Sequence, residues 1–197
     1  MLALLALLAA AIAPYVAAGQ PRRLSATVLS IGDGDSLRVR QGKRTLTVRL
    51  ACIDAPETSQ IPHGPQARDY LQLRLPPGRP VTLAVKASDQ YGRLVAEVIS
   101  DINIGLLMVD DGQAFAYRRY LGGCNAKEYL DAEYRASRHR YGVWQVPGGI
   151  IRPWDFRRGQ RQGAGRLEAR RLELSRLEEP ADSDDQRLSA AQLLSKV

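Results

Sequence analysis

From Ser25 to Ser100 the chain repeatedly alternates apolar and polar residues with the period of a half-buried strand. Runs at 25–31, 36–41 and 45–52 are rich in Val, Leu, Ile and Thr. They are separated by Gly32-Asp33-Gly34-Asp35 and Gln41-Gly42-Lys43-Arg44, both of turn composition. Two more runs, 80–87 and 93–100, flank Asp89-Gln90-Tyr91-Gly92. Between the third and fourth runs the period changes: Ala67, Tyr70, Leu71 and Leu75 predict a helix over 64–75. Two further helices are predicted. One spans 103–112, with Ile104, Leu107 and Met108 on one face. The other spans 125–139, opened by the capping pattern Asn125-Ala126-Lys127-Glu128. Residues 150–158, with Pro153 and Trp154, are expected to wrap back over the body.

Three strands, a helix, two strands and then helices predict an α+β fold that is mainly β. The expected architecture is a five-stranded Greek-key barrel of the oligonucleotide-binding (OB) type, with about three helices at one side. Its expected extent is 25–158. The 197 residues, 45% hydrophobic, provide one core with extensions at both ends. Met1 to Ala18 is an uninterrupted apolar run ending in small residues, which reads as a signal peptide or a short N-terminal anchor, although the first basic residue, Arg22, follows it. Export or a periplasmic location is therefore expected, with membrane anchoring as the alternative. From Gly159 onward Arg, Gln, Glu and Asp mix with scattered Leu. This tail is expected to be partly helical or disordered, dispensable for folding and catalysis, and of scarcely any effect on affinity for nucleic acid or its salt slope.

Charge changes the picture. The formal net charge is +7, and the segment from Gly159 carries seven basic and seven acidic residues, so the excess belongs to residues 1–158. Such a body favours a polyanionic partner. Cys52 and Cys124 are the two cysteines; Cys52 reads as a small hydrophobe in a strand, and the sequence leaves open whether they pair. His63 and His139 lie outside any cluster of histidines and acids.

Acids and arginines recur at the strand ends: Asp35, Arg49, Asp54, Glu57 and Arg93. If the first and third turns meet, Asp35 and Asp54 offer hard oxygen ligands that suit Ca²⁺ or Mg²⁺ rather than zinc. Glu57 follows Pro56, which stiffens its loop, and can accept a proton. Arg49 and Arg93 can neutralise charge developing on phosphate oxygens. Each alone reads as a turn acid or a surface arginine; the information is in the set.

These strings resemble the staphylococcal nuclease family over roughly residues 25–158. The matching segments are Asp33-Gly34-Asp35-Ser36, Val48-Arg49-Leu50, Ile53-Asp54-Ala55-Pro56-Glu57-Thr58, Gly64-Pro65-Gln66-Ala67, Asp89-Gln90-Tyr91-Gly92-Arg93 and Gly142-Val143-Trp144. The resemblance implies Arg49, Glu57 and Arg93 as the catalytic trio, and Ca²⁺ held by Asp35, Asp54 and the carbonyl of Ala55. It implies Tyr91 and Tyr120 as nucleotide contacts, with Tyr117 competing for the second place. Expected activity is cleavage of DNA and RNA with weak sequence preference, leaving 3′-phosphates, by a monomer needing no protein partner. Gln90 stands where the family often has Lys, and the loop from Thr58 to Gly64 is short. A non-catalytic nucleic-acid-binding module would have lost these acids and arginines, and a membrane-tethered adaptor would not need them.

Overall fold

The computed structural model describes residues 22–178; the apolar run Met1–Ala18 and the last part of the tail, 179–197, lie outside the described residues. Strands β1 (Arg23–Ile31), β2 (Ser36–Gln41) and β3 (Arg44–Leu50) form an antiparallel meander in which Val28 faces Val39 and Leu37 faces Val48. The chain then passes through the short β4 (Ile53–Asp54) and helix α1 (His63–Arg74). Strand β5 (Pro80–Ser88) pairs antiparallel with β1, and β6 (Leu94–Ser100) pairs antiparallel with β5. The barrel closes where β6 runs parallel to β3, Val48 beside Leu94 and Leu50 beside Ala96. After it come β7 (Ile102–Asn103), α2 (Ile104–Asp110), β8 (Phe115–Ala116, paired with β4), α3 (Ala126–His139) and α4 (Pro153–Glu178).

This is the expected five-stranded barrel with helices. Alternation along the strands sends Val28, Leu37, Val39, Val48, Leu83 and Val98 into the interior, all buried. Leu71 and Ala67 of α1 are buried in the same core cluster. Met108 of α2 and Tyr129 of α3 complete that core.

Five local details differ from the sequence reading. Strand β3 stops at Leu50 because Ala51 and Cys52 turn, Cys52 adopting φ +67°. Cys52 is buried, but not as a strand hydrophobe: it is bonded to Cys124, with the two Cα atoms 6.4 Å apart. Val109, rather than Leu107, joins Ile104 and Met108 on the buried face of α2. Asn125 does not cap α3 through its side chain, whereas Asn103 caps α2 by accepting from the Leu106 N–H at 3.3 Å. Helix α4 crosses Arg158 without a break and is exposed from there to Leu174. Among the described residues no helix is long and apolar enough to cross a membrane.

Candidate active site at the barrel mouth

The β1–β2 turn lies directly on the loop that follows β4. A β-carbon on Gly34 would come 2.7 Å from the Ala55 Cβ and 2.9 Å from the Ala67 Cβ, so only glycine allows the approach that brings Asp35 to Asp54. Asp33 shapes the turn by accepting the Asp35 N–H at 3.1 Å. Register does the rest. Arg49 stands opposite Ser36 on β3, and the Leu50 N–H donates to the Asp35 carbonyl at 2.8 Å. Glu57 is set by its own loop. Gln60 accepts the Glu57 N–H at 3.0 Å and donates to the Ile151 carbonyl at 2.8 Å, while Gly64 leaves room for the Glu57 carbonyl against the first turn of α1.

Two guanidinium groups bind the three carboxylates together. Arg49 Nη2 donates to Asp35 Oδ2 at 2.8 Å and to Asp54 Oδ1 at 2.6 Å. Arg157, from α4, donates through Nη2 to Asp54 Oδ2 at 2.7 Å and through Nη1 to Asp54 Oδ1 at 3.2 Å and to Glu57 Oε1. With all groups ionised this cluster has one negative charge in excess. Burial pushes the Asp35 carboxyl up to about 8; Arg49 opposes this, while Asp33 and Asp54 add to it. Burial disfavours charge on Arg49 and Arg157 as well, but their carboxylate partners outweigh it and raise both.

Arg93 reaches the same cleft with its Nε held 2.7 Å from Asp89 Oδ2, its guanidinium 5.4 Å from the centre of the Tyr91 ring. The cleft, about 940 Å³, is also bordered by Tyr91 (74% exposed) and Tyr120 (56% exposed). Tyr117, the competing aromatic, is stacked parallel on Trp154 with ring centres 5.0 Å apart. The disulfide fixes the 3-10 turn Arg118–Gly123, and with it Tyr120, against the end of β3. Of the eight residues singled out in the sequence, Asp35, Arg49, Asp54 and Ala55 are in direct contact, the last through its N–H 3.4 Å from Asp35 Oδ2. Glu57 joins them through Arg157. Arg93, Tyr91 and Tyr120 border the cleft.

Sequence reasoning missed Arg157 and Gln60, and singled out the segment of Asp89 without its pairing to Arg93. The one usable signal for Arg157 was its spacing from Trp154, three residues along a segment expected to fold back. Gln60 and Asp89 act through loop geometry that the sequence pattern does not display.

The donor set fits a hard cation. Asp35 and Asp54 are buried carboxylates that with Glu57 number one more than the two arginines beside them, and oxygen is their donor atom. Among the described residues no three His, Cys, Asp or Glu side chains cluster as a metal cage, so a cation would rest on this pair with backbone carbonyl and water oxygens. Arg157 would have to leave Asp54, whose two oxygens it holds.

The sequence profile described as Staphylococcal nuclease homologue matches residues 47–146. Micrococcal nuclease of Shigella flexneri is 36% identical over 144 residues, covering 68% of this chain and 80% of that one. Protein ParB of Escherichia coli is 35% identical over 161 residues, 76% and 89% of the two chains. An uncharacterized endonuclease of Haemophilus influenzae is 37% identical over 136 residues, 68% and 73% respectively. The matched span includes Arg49, Asp54, Glu57 and Arg93 and stops short of α4. A closed barrel of this topology, with that profile and those relatives, makes the chain a member of the staphylococcal nuclease homologue family.

Proposed function

We propose that this protein is a Ca²⁺-dependent nuclease that hydrolyses phosphodiester bonds in both DNA and RNA, leaving 3′-phosphates. The nuclease assignment rests on the family and on relatives that are named micrococcal nuclease and endonuclease. The finer reading is carried by one observation: three carboxylates and Arg49 converge at a barrel mouth that opens into a cleft bordered by arginines and tyrosines.

Asp35, Asp54 and the Ala55 carbonyl would hold Ca²⁺, which when bound supplies positive charge beside the phosphate and favours ionisation of water. Glu57 accepts the proton of the attacking water. Arg49 and Arg93 stabilise charge on the phosphate oxygens as the bond to the 5′ oxygen lengthens, Arg93 first exchanging Asp89 for substrate. Tyr91 and Tyr120 offer ring faces to bases, a mode of contact that tolerates any sequence. The enzyme acts as a monomer and is exported; the apolar run Met1–Ala18 and the Cys52–Cys124 disulfide, a bond typical of oxidising compartments, support that location.

The test is cleavage of single-stranded DNA and RNA with Ca²⁺ or with chelator, and end-group analysis of the products. Cleavage of both only with Ca²⁺, giving 3′-phosphates, is expected. Undiminished activity in chelator would remove the metal from the mechanism.

A further inference from the structure

The tail that is neutral on average is not neutral locally. Between Arg157 and Arg171 the sequence has six arginines and one acid, Glu168, and the remaining acids of the tail lie further on. Helix α4 begins at Pro153, which places Trp154, Arg157, Arg158 and Arg161 at i, i+3, i+4 and i+7, one face of the helix. All four border the same cleft as Asp35, Glu57 and Arg93.

That face is fixed in place. Trp154 is stacked on Tyr117 and meets the edge of Phe115, with ring centres 6.1 Å apart. Arg157 ties the next turn to Asp54 and Glu57. Arg158 and Arg161 follow within one more turn and are exposed. Arg158 has a long contact of 3.6 Å with the exposed Asp155, worth little against solvent. Two arginines thus stand along the wall of the cleft, Arg158 held only by the exposed 3.6 Å pair with Asp155.

We propose that the Trp154–Arg161 face of α4 is a second wall of the substrate cleft, where Arg158 and Arg161 bind phosphates of a nucleic-acid strand beyond the scissile one. The proposal rests on the nuclease reading of the cleft and names the substrate as an extended strand rather than a dinucleotide. Charge complementarity selects the partner. Arginine forks match phosphate oxygens, and their spacing along one helix face follows a backbone rather than a single anion.

The experiment measures binding of an oligothymidylate of about twelve nucleotides, within the span that OB barrels cover, to the full chain by fluorescence anisotropy. Chelator keeps the strand intact, and salt is varied from about 0.05 to 0.2 M. Loss of two phosphate contacts in the Arg158→Ala/Arg161→Ala variant should weaken binding and flatten the log–log salt slope by about 1.4. The Arg158→Lys/Arg161→Lys variant should restore most of that slope. Arg170→Ala, an exposed change on the opposite face of α4, should leave it unaltered. An unchanged slope in the double variant, or an equal flattening per charge in Arg170→Ala, overturns the proposal. A wild-type chain that binds the strand but leaves it uncut in Ca²⁺ would refute the nuclease reading and not the wall. Normal cleavage with an unaltered slope in the double variant would refute the wall alone, and a wild type that does not bind refutes both.

Discussion

Two buried acid sites in this molecule face opposite demands. On α3, Glu133 accepts the Ala116 N–H at 3.1 Å through one carboxylate oxygen and the Arg118 guanidinium at 2.5 Å through the other. One acid meets one arginine and one backbone donor, so this site is complete. At the barrel mouth three acids share two arginines, and burial favours a proton on Asp35. Folding gains nothing from burying a carboxyl whose charge its surroundings oppose. A site that needs a cation has to keep it. Under the proposed function, the contrast separates a carboxylate that serves the fold from carboxylates held ready for chemistry, and each prediction below tests that division.

The largest effect is expected at Arg49. The sequence suggests a side chain facing substrate, removable without harm to folding, but the arginine lies between two buried carboxylates. Arg49→Ala leaves both without a shared partner and should destabilise the metal-free protein by about 3–5 kcal/mol. Saturating Ca²⁺ should recover part of the loss by binding the folded state. Urea unfolding with and without Ca²⁺ checks this; equal stability of variant and wild type in chelator would mean that the acids find other partners.

Next come the acid-to-amide exchanges. Glu57→Gln should lower turnover by roughly 10²-fold or more with the fold retained, as should Arg93→Ala, on the scale of losing a transition-state group. Glu133→Gln should do the reverse, sparing turnover while lowering the midpoint of thermal unfolding, since the amide still accepts the Ala116 N–H but loses the charge facing Arg118. Initial rates and melting curves on the two Gln variants decide between these roles. A Glu57→Gln enzyme with wild-type rates would remove Glu57 from the chemistry.

The third prediction concerns pH. In chelator Asp35 is held near 8 in the folded chain and near its ordinary 3.8 when unfolded, so folding takes up a proton between those values. The contribution to stability is complete below about 3.8 and is lost as pH rises through about 8. Asp35→Asn should remove this dependence. Ca²⁺ should displace the proton, so that its binding releases protons below pH 8. Calorimetry in two buffers of different ionisation enthalpy reads the release, and buffer-independent heats would show that Asp35 is already ionised.

The same division explains what was legible in the sequence. Strand alternation and turn residues located the five barrel strands because burial on one face imposes the period of two along each of them. The acids and arginines of the mouth were visible because they stand at strand ends and register brings those ends together. Cys52 was misplaced by its apolar neighbours: only the turn after Leu50 shows that it pairs with Cys124 rather than continuing the strand. Arg157 was hidden for another reason. Its partners Asp54 and Glu57 are 103 and 100 residues away, and no local pattern encodes a contact made by docking a helix whose anchor is a stacked tryptophan.

Arg157 also carries the smallest predicted effect and the finest test of the comparison. If the mouth is built for a cation, the guanidinium on Asp54 is a stand-in that the cation has to displace, at the cost of one charge-assisted interaction. Part of that cost is recovered when the freed side chain reaches solvent or a phosphate, leaving about 1.4 kcal/mol, or a factor of about ten in affinity. Arg157→Ala should therefore tighten Ca²⁺ binding about tenfold while lowering metal-free stability, because Asp54 and Glu57 lose their shared partner. Titration calorimetry with Ca²⁺ on the substrate-free chain reads the first effect directly and does not depend on turnover. Weaker Ca²⁺ binding in the variant would show the opposite arrangement, in which Arg157 holds Asp54 and Glu57 in the positions the cation needs, as Arg118 holds Glu133 for the fold.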